Sequence, residues 1–205
     1  MKISYNWLKQ YINLDVEPEK LSQILTDIGL EVEGMEKFQS VRGGLEGIVI
    51  GEVISCKKHP NADKLSITTV DVAGAKLLPI VCGASNITKG QKVVVATVGT
   101  TLYSEEESFK IKKAKIRGEV SEGMICAEDE IGIGGSHDGI IVLPSNSVVG
   151  TTAADYFKIE EDIIFEIGLT PNRSDATSHI GTARDLVAGL NRFYNTNKYL
   201  LNIPS

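Results

Sequence analysis

The chain has 205 residues, 42% of them hydrophobic, and carries 27 Asp and Glu against 21 Lys and Arg for a formal charge of -6. That length and apolar share suffice for one large core or two small ones, and the net acidity excludes a general polyanion binder, so any nucleic-acid contact has to come from a local patch. Three cysteines, Cys56, Cys82 and Cys126, lie far apart, the start has no leader pattern, and no apolar run approaches twenty residues, so a cytoplasmic chain with reduced thiols and no membrane partner is expected.

Residues 1–40 read as α then β. Ser4 can cap a first helix whose Trp7, Leu8, Tyr11 and Ile12 share one face. Asp15 to Pro18 starts a second helix, with Leu21, Ile24, Leu25 and Ile28 at helical spacing and Gly29 placed to end it. Neither helix is long enough to hold alone, so both must pack on something else. Residues 30–38 then look like a half-exposed strand. Trp7 and Tyr11 read as packing residues in preference to a ligand-stacking platform.

From Gly43-Gly44 the composition becomes that of an all-β unit. Strands are expected at 47–54 and 66–72, with Gly51 allowing a bend or bulge, and at 77–83, 91–98, 110–117 and 139–143. Cys56 to Leu65 (Cys-Lys-Lys-His-Pro-Asn-Ala-Asp-Lys-Leu) then reads as an inter-strand loop holding three lysines and an imidazole. A second basic run, Lys110-Ile-Lys-Lys-Ala-Lys-Ile-Arg117, would put apolar side chains inward and leave a ridge of positive charge outside. Residues 121–130 are expected as a short helix or turn carrying Met124. Cys56 and His59 are spaced like half of a metal site, but no second pair with ligand spacing follows, so no metal is expected.

After Pro144, α+β character returns. Ile163, Phe165, Ile167 and Leu169 alternate on one face of a strand; a helix capped by Ser174 or Asp175 follows, with Ala176, Ile180, Ala183, Val187 and Leu190 as its buried stripe. Arg173 and Arg184 fit structural ion pairs with Asp175 or Asp185. The flanks are each too small to close a core, so the expected fold is α+β. Residues 1–41 and 151–205 form a discontinuous domain with its two strands in one sheet, and an all-β barrel at 42–150 is inserted into it.

The acid is unevenly placed. Residues 1–40 hold 4 basic against 7 acidic side chains, residues 41–150 hold 12 against 13, and residues 151–205 hold 5 against 7. The middle block is thus near neutral, with its cations clustered and part of its acid gathered at Glu105, Glu106 and Glu107.

Four segments carry a resemblance. His59-Pro-Asn-Ala-Asp-Lys-Leu65, Val81-Cys-Gly-Ala-Ser-Asn-Ile87, Lys115-Ile-Arg-Gly118 and Ser121-Glu-Gly-Met-Ile-Cys-Ala-Glu128 resemble, in order, the signatures of the tRNA-binding domain of several aminoacyl-tRNA synthetases. The flanking segments extend it. Residues 1–8, 27–33, 170–175 and 181–186 are similar to the N-terminal region of the bacterial phenylalanyl-tRNA synthetase beta subunit, where such a barrel interrupts the N-terminal domain.

The resemblance implies an oligonucleotide-binding (OB) barrel and a longer parent chain. The parent would be a ligase joining phenylalanine to tRNA with ATP and Mg²⁺, partnered by an alpha subunit in a heterotetramer and by further beta-subunit domains. These residues themselves would be an accessory tRNA-binding module without a catalytic, editing, cofactor or metal site. No glycine-rich phosphate loop, nucleophile elbow or paired His/carboxylate signature appears in the sequence, in keeping with that expectation. Phosphate contacts are expected from Lys57, Lys58, Lys64, Lys112, Lys113, Lys115 and Arg117; His59 would hydrogen-bond or stack, and Ser121 with Met124 would line the adjacent surface. Ser85 and Asn86 are expected to organise their own loop. Two alternatives stay open: a structural or subunit-interface module with little RNA affinity, and a tRNA-binding domain of another synthetase.

Overall fold

A computed structural model describes residues 1–103 and 107–203. Of the expected acidic cluster, Glu105 and Glu106 lie outside the described residues. The chain begins with β1 (Lys2–Ser4), α1 (Tyr5–Tyr11), α2 (Pro18–Asp27) and β2 (Glu31–Gln39). There follow β3 (Ile48–His59), β4 (Ala62–Asp71), β5 (Leu78–Cys82), β6 (Lys92–Thr97), β7 (Thr101–Tyr103) and β8 (Ser108–Lys110). Next come β9 (Ala114–Ile116), β10 (Glu119–Ser121), β11 (Gly123–Ile125), β12 (Val142–Leu143), α3 (Ala153–Phe157), β13 (Glu161–Gly168) and α4 (His179–Phe193). The chain divides into two compact units, residues 1–38 with 161–205, and residues 39–160. No helix among the described residues is long and apolar enough to cross a membrane.

The discontinuous unit is built on a three-stranded sheet in the order β1-β13-β2, which puts the two strands expected from the flanks side by side. β1, for which the sequence pattern gave no strand, pairs antiparallel with β13 so that Ile3 sits opposite Phe165. Helix α1 starts where it does because Ser4 Oγ accepts the Trp7 N–H at 2.9 Å. Helix α2 starts at Pro18, whose missing N–H would have had no intrahelical partner. Leu8, Leu21, Leu25, Phe165, Ile167, Leu186 and Leu190 close one core on one face of the sheet.

Helix α4 corrects an expectation: its cap is Ser178, whose Oγ accepts the Gly181 N–H at 3.0 Å, and Ser174–Ala176 form a separate 3-10 turn. The Asp175 carboxylate cannot serve as the cap because it accepts from the Arg173 guanidinium, which also donates to Asp185. Arg173 thus takes both structural partners the sequence suggested. Arg184 is exposed and has no ion-pair partner among the described residues.

In the second unit, strands β11-β6-β3-β4-β5 form one antiparallel sheet, with β12 sharing the β6 edge with β11. The sheet curls until its ends meet. At the seam Glu122 N–H donates to Pro79 O at 2.7 Å and Val81 N–H to Ser121 Oγ at 3.2 Å, giving a nearly closed barrel. Val93 and Val95 face a core with Val53, Val70, Ile80 and Ile125, while Val94 and Ala96 face a second core with Ile48, Ile50 and Leu143. Burial on both faces explains why β6 reads as an unbroken apolar run.

Gly51 introduces no bulge. A Cβ there would lie 2.8 Å from Val70 and 3.0 Å from Val95, so the residue is small because β3 is flanked closely on both sides. The irregularities of β3 fall instead between Val53 and Ser55 and between Lys58 and His59. Residues 151–160 also depart from expectation, since α3 buries Ala153 and packs Tyr156 and Phe157 on the barrel core. Five residues are too few to carry a helical period, which is why α3 left no trace in the sequence pattern.

Candidate nucleic-acid interface

The first basic segment is not a loop. β3 runs to His59 and β4 starts at Ala62, so Pro60 and Asn61 alone make the turn and the lysines ride on paired strands. Lys57 stands opposite Ile67 and Lys58 opposite Ser66, and Lys57, Lys58 and Lys64 are all exposed. The turn chemistry was legible; the extent of pairing was not, because strand length here is set by the barrel and not by local preference.

The second basic segment is likewise broken up. β8 ends at Lys110, residues 111–113 cross over, and β9 covers only Ala114–Ile116 before a two-residue turn at Arg117-Gly118. Both turn residues have positive φ, 52° and 101°, as a tight hairpin requires, and this sets Arg117 at an exposed tip. Lys115 lies on β9 opposite Val120 and is exposed. Residues 123–125, expected in a helix or turn, are strand β11, paired with β6 through Met124 opposite Ala96.

His59 joins the two segments. It is 4% exposed, its Nδ1 accepts the Asn61 N–H at 3.1 Å, and its Nε2 faces the Ile116 carbonyl at 3.3 Å, 57 positions along the chain. With Nδ1 accepting, the ring proton belongs on Nε2, donated to Ile116. The expected ligand contact by His59 is therefore corrected. Its side chain is enclosed with both nitrogens engaged, and it binds the tip of the β3-β4 hairpin to β9, setting Lys57, Lys58 and Lys64 in the neighbourhood of Lys115 and Arg117.

Beside this join lies an open cleft of about 570 Å³. Leu65, Ala84, Ile111, Met124, Ile125 and Ile140 supply apolar walls, Lys110, Lys112 and His137 supply cationic or ionisable groups, and Glu130 adds one carboxylate, which accepts the Ala127 N–H at 2.7 Å. Ser121 lines it too, but at 3% exposure its hydroxyl is committed, donating to Gly123 O at 3.1 Å and accepting from Val81 N–H, so it holds the wall. Asn86 organises the far side as its sequence position suggested: its amide donates to Ile140 O at 2.9 Å and accepts from Ile140 N–H at 3.0 Å.

Lys110 belonged to the basic run but stood outside the expected site. His137 gave no sequence signal; it reaches the cleft through a loop, paired to Asp129 at 2.8 Å, and that carboxylate raises its pKa above the ordinary imidazole value. Lys113 does not line the cleft; it pairs with Glu122 at 2.6 Å. Burial raises the thiol pKa of Cys82 and pushes that of Cys126 up to about 12, which leaves both unreactive. No group of three or more His, Cys, Asp or Glu among the described residues is placed to hold a metal ion.

A nearly closed antiparallel barrel with short connecting hairpins, an open side cleft and ammonium groups beside it is the architecture of oligonucleotide-binding barrels. Residues 48–152 match the family described as a putative tRNA binding domain, and the chain belongs to that family. Beyond the barrel, the chain is 60% identical over 190 residues to the phenylalanine–tRNA ligase beta subunit of Bacteroides fragilis, covering 93% of this chain and 23% of that protein. The corresponding subunit of Porphyromonas gingivalis is 58% identical over 192 residues, and that of Pectobacterium atrosepticum 52% over 192, each match covering 94% of this chain and 23% of the relative. The chain thus spans under a quarter of the length of these relatives.

Proposed function

We propose that these residues are the N-terminal part of a phenylalanine–tRNA ligase beta subunit and that the barrel is its accessory tRNA-binding surface. The observation that carries this reading is the convergence of two basic segments, held together through His59, beside an apolar cleft with lysines at its edge. Lys57, Lys58, Lys64, Lys112, Lys115 and Arg117 meet phosphates, each adding a salt-dependent, sequence-independent contribution. Met124 and the aliphatic walls, with Ser121 fixing the backbone behind them, offer an apolar surface to the face of an unstacked base. His59 acts as a positioning residue.

The parent is a cytoplasmic ligase that attaches phenylalanine to tRNA with ATP and Mg²⁺, assembled with an alpha subunit into a heterotetramer and with the remaining beta-subunit domains. ATP and Mg²⁺ are assigned no residue of this chain. The two units are separate folding domains, the barrel interrupting the other.

Titration with labelled tRNA at several salt concentrations, against a competitor tRNA of another amino-acid specificity, tests the reading. The logarithm of the association constant should fall linearly with the logarithm of salt, equally for both tRNAs, and Lys112→Glu with Lys115→Glu should flatten the slope by one to two units. Absence of binding even at low salt would falsify it. That outcome would favour a second reading, a subunit-interface module, which rests on Met35 and Phe38 standing 45% and 47% exposed on β2.

A further inference from the structure

Consecutive lysines in the second basic segment have different surroundings. Lys110 and Lys112 line the cleft, whereas Lys113 lines a separate depression with Val72, Lys76, Leu78, Val98 and Glu122. Among the described residues, Lys113 is the one member of the two basic segments held in an ion pair. Its partner Glu122 also pairs with Lys76. The carboxylate is firmly placed. Its own N–H donates to Pro79 O at the barrel seam, and its side chain is 12% exposed, against 63% for Lys113 and 67% for Lys76.

From this geometry we infer that Glu122 limits the charge the barrel offers to RNA: one fixed carboxylate engages two ammonium groups, so neither Lys76 nor Lys113 is a free cation and the trio presents a net single positive charge. The inference rests on the tRNA-binding reading above. Hydrogen bonds from Lys113 and Lys76 hold the Glu122 carboxyl down at about 2, so it stays ionised wherever tRNA binding is measured. A phosphate approaching this side meets an anion already paired with the lysines and has to displace it, whereas Lys110 and Lys112 are in no ion pair among the described residues, although Glu130 also lines their cleft. Glu122 therefore directs phosphates to the cleft side of the segment. It is a positioning residue, with no contact of its own to the nucleic acid.

The test compares the salt dependence of tRNA binding by the unsubstituted chain, Glu122→Gln, Lys113→Ala and Lys112→Ala, with thermal unfolding of each followed in parallel. Glu122→Gln keeps the side-chain shape and adds one net positive charge. It should bind several-fold tighter near 0.1 M salt, with a log–log slope steeper by about 0.7 to 0.9. Removing Lys76 and Lys113 as well should abolish that gain. Lys113→Ala, which leaves a neutral Lys76–Glu122 pair, should weaken binding less than Lys112→Ala does, a contrast that does not depend on Glu122→Gln folding. An unchanged or weakened Glu122→Gln, or equal losses in Lys112→Ala and Lys113→Ala, overturns the inference while the tRNA-binding reading stands. No binding by the unsubstituted chain overturns both.

Discussion

The two units bury strands in opposite ways. In the discontinuous unit the central strand β13 presents Phe165 and Ile167 to one core and leaves Glu166 exposed, so its sheet has a covered and an open face. In the barrel, β6 buries Val93, Val94, Val95 and Ala96 in turn, because the curled sheet encloses one face and α3 with Leu45, Leu102, Ile131 and Leu143 covers the other. Alternation in sequence therefore survives where a sheet is one-sided and disappears where it is covered twice. Strand β2 of the first unit carries the exposed apolar residues Met35 and Phe38; the barrel gathers its exposed charge beside a cleft.

Core truncations test whether these are two folding units. Phe165→Ala should cost about 3–5 kcal/mol, and Ile50→Ala, at 0% exposure, about 2–5 kcal/mol. Trp7, the single tryptophan, lies in the discontinuous unit, so its fluorescence reports that unit's unfolding, and amide exchange at residues 93–96 reports the barrel. Phe165→Ala should shift the tryptophan transition and spare barrel exchange, and Ile50→Ala the reverse. A common shift in both probes would merge the two into one cooperative unit.

A smaller effect separates regions inside the barrel. Asn86→Ala removes both hydrogen bonds to Ile140 and should cost about 1–3 kcal/mol. Exchange protection should fall around residues 84–87 and 139–141 before it falls in β6. Uniform loss would show that the cleft wall is no weaker than the barrel.

The smallest effect has opposite signs in the two units. His179 accepts the Ser4 N–H at 2.9 Å and stacks on Trp7, and its pKa is lowered, chiefly by burial, against an opposing pull from Asp162. Its unfolded form binds a proton first, so its contribution is present above about pH 6.5 and is lost as pH falls toward the lowered folded value. His137, raised by Asp129, contributes below about pH 6.5 and loses that contribution as pH rises through its folded value. Between pH 7.5 and 5.5 the tryptophan transition should weaken relative to barrel exchange. His179→Gln should remove the shift from the first probe alone.

Much of this was legible in sequence, for identifiable reasons. Ser4 and Pro18 marked helix starts because capping is local chemistry, and the pairing of Arg173 with Asp175 is a contact across two positions. The four signature segments resembled a tRNA-binding barrel, and the family match over residues 48–152 agrees. The cap of α4 was misplaced by three or four residues, and Asp175 has a nearer partner in Arg173, a competition that spacing does not weigh.

Sequence by itself determined which segments are apolar, where the chain turns and that positive charge is concentrated in two runs, since these follow from side-chain type and short-range backbone preference. Tertiary structure alone decided which of those charges are available. His59 was enclosed and Lys113 claimed by Glu122 only when the barrel seam brought residues 57 and 9 positions apart within hydrogen-bond reach. A hydrogen bond or an ion pair depends on distance in space, and closing a barrel sets distances that no local pattern contains.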